Sequence, residues 1–451
     1  MLGATVGRAL VGLRWWGRWG LGSSALAVAA VTGLMAGLVL PGVPAAVASG
    51  GASPYTVLNV AVGSAPDAVA VDENTDTVYA ANAQADTVSV IDGATNAVTA
   101  TVAVGANPYG VAVDEDTDTV YVANVNQESG TVSVIDGATC NSTDQAGCSQ
   151  TPATIAVATP DGVAVDEATD TVYVTDLESG TVSVIDGATN IVTATVAVGT
   201  EPESVAVDET TDTVYVDNEY SGTVSVIDGA TNTVTATVTV GTDDDGVAVD
   251  EATDTVYVAN GESSSVSVID GATNTVTATV PTFEDSPIGV AVDEATDTVY
   301  VANYLGYLSV IDGATNTLTT TVLVGSNTDP DAVAVDENTD TIFVTDIETD
   351  TVSVIIPASL SVSPTSSHAG KSVTVSGQGF NPGETVKIIY KTGLASPKSV
   401  TICSATAGSN TSYTCSGTIP PTATAGAHAA HKILAKGLTS LIKVKTTFTL
   451  T

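Results

Sequence analysis

The chain repeats one stretch of sequence at a fixed interval. VAVDEATDTVYVAN at Val247–Asn260 returns almost unchanged at Val163–Asp176 and Val290–Asn303. Aligned on the Asp of V-A-V-D-E, the unit recurs at Asp72, Asp114, Asp166, Asp208, Asp250, Asp293 and Asp336, in steps of 42, 52, 42, 42, 43 and 43 residues. The long step carries an insertion, CNSTDQAGCSQ, at Cys140–Gln150. A chain of near-identical units must bury the apolar side of each unit against its neighbour. The period is that of a four-stranded propeller blade.

Each unit divides into four strands. G-V-A-V-D is a short strand of period two, and D-E-A-T-D is a turn in which Asp side chains cap backbone N–H groups. T-V-Y-V-A-N is the second strand. A variable loop leads to T-V-S-V-I-D-G-A-T, a third strand ending in an Asp-Gly turn signal. N-T-V-T-A-T-V-A-V-G, rich in β-branched residues, is the fourth. The Val/Thr content and the period exclude helix. The repeat region opens on YTVLNVAVG at Tyr55–Gly63, which matches a fourth strand, and closes on DTVSVII at Asp350–Ile356, which matches a third. Tyr55–Val62 is therefore expected to pair with Thr351–Ile355 and close the ring, leaving no end blade with a bare edge.

These motifs resemble those of the YVTN-repeat propeller family, which includes YncE-like and surface-layer-type proteins. VYVAN stands at Val120–Asn124, Val256–Asn260 and Val299–Asn303, with the variants VYAAN, VYVTD, VYVDN and IFVTD in the other units, and SVIDGAT recurs six times. The resemblance covers Tyr55–Ile356. It implies an all-β seven-bladed β-propeller over residues 55–356 and says little about function, since propellers host many roles. Beyond Pro357, SVSPTSSHAGKSVTVSGQGFNPGETV resembles bacterial immunoglobulin-like (IPT/TIG-like) surface domains. It implies a β-sandwich over residues 357–451.

Charge divides the chain in the same way. The formal net charge is −40, from 51 acidic and 11 basic residues. Arg8, Arg14 and Arg18 lie at the start and eight lysines lie after residue 370, with no cation between. Fifty carboxylates fall in the repeat region, whereas the C-terminal region has the eight lysines and one acid, Glu384. Fifty uncompensated acids repel phosphate, so nucleic acid is not an expected partner. The basic region reads as a tether to an anionic cell-wall polymer or as a solvated spacer.

Residues 1–48 read as an export signal: a positive start, an apolar run at Leu21–Leu40, and AVA at Ala46–Ala48 as a small-residue cleavage site. The run is long enough to span a bilayer, so an uncleaved anchor is the alternative, and membrane contact is expected only in that case. The protein is expected to be secreted or associated with the cell surface, and monomeric. Cys140/Cys148 and Cys403/Cys415 form two close pairs, read as disulfides in an exported chain.

The turns DENTD and DEDTD at Asp72, Asp114 and Asp336 open like calcium loops but lack the Gly at position six and the Glu at position twelve. Turn chemistry alone accounts for them and for the other carboxylates of that face. The opposite, top face is more pointed. The residues just before each A/G/S-V-A-V-D are Asp67, Tyr109, Asp161, Glu203, Asp245, Ile288 and Asp331. Asp67, Asp161, Glu203, Asp245 and Asp331 should ring one mouth of the channel, either around a divalent cation, Ca²⁺ above all, or as a hydrated acidic funnel. Unit six departs from this: Phe283, Ile288, Tyr304, Leu305 and Tyr307 form either an apolar partner patch or a locally repacked loop.

The repeat region has no His, Lys, Arg or Trp. That removes the usual general base and most activated nucleophiles. The expected function is a non-catalytic binding or adhesion scaffold for a surface protein or glycan. The alternative is a metal-dependent hydrolase or lyase using the top-face carboxylates.

Overall fold

A computed structural model describes residues 53–125, 130–242, 244–282, 286–325, 328–421, 426 and 429–451. The expected export signal and Phe283 lie outside the described residues.

Alternation of Val with Thr, Ser and Ala gives every unit four antiparallel strands, and the described residues form seven such sheets around one axis. Blade 1 consists of Pro66–Asp72, Thr77–Asn82, Thr87–Asp92 and Ala97–Ala103, from the channel outward. Blades 2 to 6 repeat this order. Blade 7 takes three strands from the end of the repeat region and its outermost from the beginning. Tyr55–Ala61 pairs antiparallel with Thr351–Pro357, with Val57 opposite Ile355. The expected closure is the observed one. The inner strands contact one another in a full circle, blade 7 meeting blade 1.

Two interlocks join each blade to the next, running in opposite directions. The first is aromatic. Tyr79 of blade 1 is fully buried in a cluster with Val111, Val120, Val122 and Ile135 of blade 2. Tyr121, Tyr173, Tyr215, Tyr257 and Tyr300 make the same forward step, and Phe343 of blade 7 joins Val69, Val78 and Ile91 of blade 1. Burying a side chain of this size stabilises by roughly 2–3 kcal/mol, so the aromatic of each VYVAN strand is a wedge between blades.

The second interlock is polar and reaches backward. The Glu115 carboxylate accepts the backbone N–H of Glu73 at 2.8 Å, Glu167 accepts that of Glu115 at 2.8 Å, and Glu209 that of Glu167 at 3.0 Å. Glu251, Glu294 and Glu337 continue at 3.2, 2.9 and 2.8 Å. Glu73 then accepts the N–H of Glu337 at 2.7 Å and closes a seven-membered ring. Turn chemistry, expected to explain the carboxylates of this face, explains the Asp of each D-E pair and of the D-G-A-T turns, where Asp92 Oδ1 accepts the N–H of Thr95 at 2.8 Å, but not the Glu. Asp72 Oδ1 accepts the N–H of Thr75 at 2.9 Å, and Asp114 and Asp336 do the same for Thr117 and Thr339. The Glu of each pair has a partner one blade away instead.

The insertion of blade 2 is closed by a Cys140–Cys148 disulfide, and Tyr79 donates its hydroxyl to the Cys140 carbonyl at 2.9 Å. Beyond Pro357 a three-stranded and a five-stranded sheet close on a second core that includes Val375, Phe380, Ile388, Tyr390, Ile433 and Phe448. Cys403–Cys415 joins strands of the two sheets. This sandwich and the propeller belong to one compact unit. They meet where Ala358 N–H donates to Pro54 O at 2.7 Å, Thr56 Oγ1 to Gly379 O at 3.0 Å, and Gln378 Nε2 to Thr339 O at 2.8 Å. Gly379 has φ +76° and lies so close that a Cβ there would be 2.4 Å from Ala358 Cα.

Candidate functional site

The top-face residues owe their position to a β-bulge. Each inner strand breaks register with its neighbour at the residue in question: between Pro66 and Ala68 around Asp67, between Pro160 and Val163 around Asp161, and likewise around Glu203, Asp245 and Asp331. A bulge inserts a residue without a cross-strand partner and re-aims its side chain. The residue after it is small because the next blade's backbone passes there. A Cβ on Gly162 would lie 2.4 Å from the Glu203 carbonyl oxygen, and one on Gly289 2.3 Å from that of Asp331. The Thr175 hydroxyl, on the second strand of blade 3, donates to the Glu203 carbonyl of blade 4 at 2.9 Å.

Asp67, Asp161, Glu203 and Asp331 are 8, 5, 6 and 6 % exposed, and Asp245 is half-buried. These side chains are packed rather than spread over an open funnel wall. Among the described residues, two of the five fall in a cluster of three carboxylates. Carboxylate oxygens of Glu203 and Asp245 lie within 4.8 Å of each other and of a third from Glu219.

Glu219 was not among the expected residues. It opens a short 3₁₀ turn, Glu219–Ser221, that replaces the loop between the second and third strands of blade 4. Its N–H donates to Glu201 O at 3.0 Å, and Gly222 ends the turn in the left-handed region with φ +60°. Glu201 in turn has its pKa raised by burial and by the Glu203 charge. A further carboxylate marks this junction: Asp217 is fully buried at the strand position held by Thr175 in blade 3 and Thr345 in blade 7. The junction of blades 4 and 5 thus gathers acidic groups from both inner strands and from one top loop. Three carboxylates at this spacing suit a hard cation such as Ca²⁺, which takes six to eight oxygens and fills its remaining positions with carbonyls and water.

The blade 6 residues are dispersed. Ile288 is buried in the ring, Tyr304 and Tyr307 are half-buried, and only Leu305 is well exposed, at 51 %. Leu323, opposite Tyr307 in the sheet and 54 % exposed, extends this side and was missed because it sits in an otherwise ordinary fourth strand.

The Glu ring of the opposite face is electrostatically strained. Burial, ahead of the charges of neighbouring acids, raises the pKa of Glu73, Glu115, Glu209, Glu294 and Glu337, although the hydrogen bond each accepts from the preceding blade pulls the other way. Glu167 is pushed up to about 7 by the same causes. Asp76, in the adjoining turn, rises to about 6 through burial and the charges of Asp336 and Asp92.

A family model described as lactonase, 7-bladed beta-propeller, matches residues 49–247, less than half of the chain. No curated protein matches it. Among solved structures it is similar to Kuenenia stuttgartiensis hydrazine synthase, at 18 % identity and a TM-score of 0.56, over 64 % of this chain and 95 % of that one. At that identity the likeness concerns the fold alone.

Proposed function

We propose that this protein is an exported, non-catalytic binding scaffold. Its propeller, read as YVTN-type, presents a cation-dependent face at the junction of blades 4 and 5 to a surface protein or glycan. Its immunoglobulin-like C-terminal domain serves as tether or spacer. The observation that carries this reading is the convergence of Glu203, Glu219 and Asp245. Like charges held this close favour a bound divalent cation over a bare site. Export is supported by the two disulfides, which fit an oxidising compartment. The lack of His, Lys, Arg and Trp in the repeats supports binding over catalysis.

A metal-dependent hydrolase is the second reading, favoured by the match to the lactonase model. One experiment separates the two. Thermal melts with chelator, Ca²⁺ and Mg²⁺ at fixed ionic strength are run beside lactone hydrolysis for the native chain and Glu203→Gln/Asp245→Asn. A site-bound ion stabilises by about 2.7 kcal/mol at a hundredfold excess over its Kd. The scaffold reading expects a Ca²⁺-selective rise that the double variant loses, without turnover. Ca²⁺-dependent turnover lost in the variant would establish the hydrolase. Equal small rises with both ions would remove the cation site.

A further inference from the structure

The C-terminal sandwich has one face of unusual composition. Three strands of its larger sheet, Thr385–Lys391, Ala430–Gly437 and Lys443–Leu450, lie side by side. Their register sets Lys387 directly opposite Lys436, and Lys436 directly opposite Lys443. Further along the same face, Lys391 stands opposite Lys432. Side chains directly opposite on adjacent strands have Cβ atoms about 5 Å apart, and like charges there destabilise the sheet. The domain's single carboxylate does not relieve them, because Glu384 is buried and committed elsewhere.

That commitment is to the hairpin at the end of this lysine row. Glu384 accepts the N–H groups of Thr439 and Ser440 at 3.1 Å each and their hydroxyls at 2.8 and 2.7 Å. Gly437 leaves room for it: a Cβ there would lie 2.7 Å from Glu384 Oε2. The clamp fixes a four-residue tip, Leu438–Leu441, whose two leucines stand 43 and 56 % exposed. Leu441 also has φ +62°. Among the described non-glycine residues with positive φ it is the one large aliphatic side chain, the others being mostly Asp and Asn. A leucine held in solvent, in a conformation that Gly or Asn adopts more cheaply, points to a role for the side chain.

We propose that this edge of the sandwich docks on an anionic lipid bilayer, with Leu438 and Leu441 entering the headgroup–acyl boundary and Lys387, Lys436 and Lys443 facing the anionic headgroups. A soluble polyanion would use the lysines and leave the leucines in water. A bilayer uses both, by apolar burial and attraction to anionic lipid. The strongly acidic propeller is repelled by the same surface, so the sandwich would be the end that makes contact. This inference does not depend on the cation site of the propeller.

The test is a local probe in the full chain. Among the described residues no cysteine is free, so Leu441→Cys gives one thiol for an environment-sensitive fluorophore, and Leu438→Cys is the alternate should the first fail to fold. Vesicles of phosphatidylcholine with one third phosphatidylglycerol should shift the emission to the blue, and pure phosphatidylcholine should not. High salt should reverse the shift. Lys436→Gln and Lys443→Gln should each weaken partitioning about fivefold. The absence of a shift with anionic vesicles, or an equal shift with neutral ones, overturns the proposal. A shift with soluble polyphosphate alone assigns the face to a polymer instead, and one that grows with protein concentration alone assigns it to a second copy.

Discussion

The propeller and the sandwich use carboxylates in opposite ways. In the propeller, fifty acids share a region without one cation, and half-buried carboxyls such as Glu73 and Glu167 are pushed toward their protonated forms. In the sandwich the lone Glu384 is buried, yet the hydrogen bonds from Ser440 and Thr439 outweigh that burial and hold its pKa below the usual range. Burial alone therefore does not decide the charge state. A ring carboxylate receives one backbone donor and faces other acids, whereas Glu384 receives four donors from the clamped tip and faces none of its own sign.

Acidification should separate the two regions most strongly. A carboxyl whose folded pKa is raised contributes stability that is fully present below its unfolded value of about 4.3 and is lost as pH rises through the folded value. For Glu167 that window runs up to about 7. Glu384 has the reverse sign, its contribution being present above about 4.3 and lost as pH falls through its lowered folded value. Calorimetric scans between about pH 8 and pH 5 should thus show the propeller transition rising while that of the sandwich holds, and only stronger acid should lower the latter. A propeller transition that falls over the first interval would break the contrast.

Glu384→Ala is expected to cost the sandwich about 3 kcal/mol, because five donors, the four of the tip and the Asn381 N–H, lose a charged acceptor, and to leave the propeller transition in place. Urea titration of the two transitions measures this. Tyr79→Phe should cost the propeller about 1 kcal/mol, through the lost bond to the Cys140 carbonyl, while the aromatic wedge stays intact. Its readout is the urea midpoint at unchanged slope. The smallest effect belongs to the seam between the regions. Gln378→Ala removes one exposed bond to Thr339 and should cost at most about 0.5 kcal/mol. A larger loss would mean that the two regions melt as one.

The blades were legible because each strand obeys a local rule. The same holds for closure, since Tyr55–Ala61 alternates like a fourth strand. The top-face acids could be found by their fixed offset from V-A-V-D, and the bulge explains why that offset matters. Glu219 escaped because it sits in a loop whose sequence varies from unit to unit. The Glu ring escaped for the opposite reason. Its residues recur in every unit, but each partner lies in the neighbouring blade, 42 to 52 residues away and 264 at the ring closure, so a local turn rule accounts for the Asp and is silent about the Glu beside it.

Closure also sets a schedule. Val57 waits for Ile355, nearly 300 residues later in the chain, before its strand has a neighbour. At synthesis rates of about 5–20 residues per second, the first strand emerges about 15–60 s before its partner. Throughout that interval a β-rich segment is without its native sheet, and blade 7 is incomplete. A chain interrupted anywhere before Thr351 thus leaves Tyr55–Ala61 as a ready template for another molecule, which makes the opening strand the place where truncated products should first aggregate.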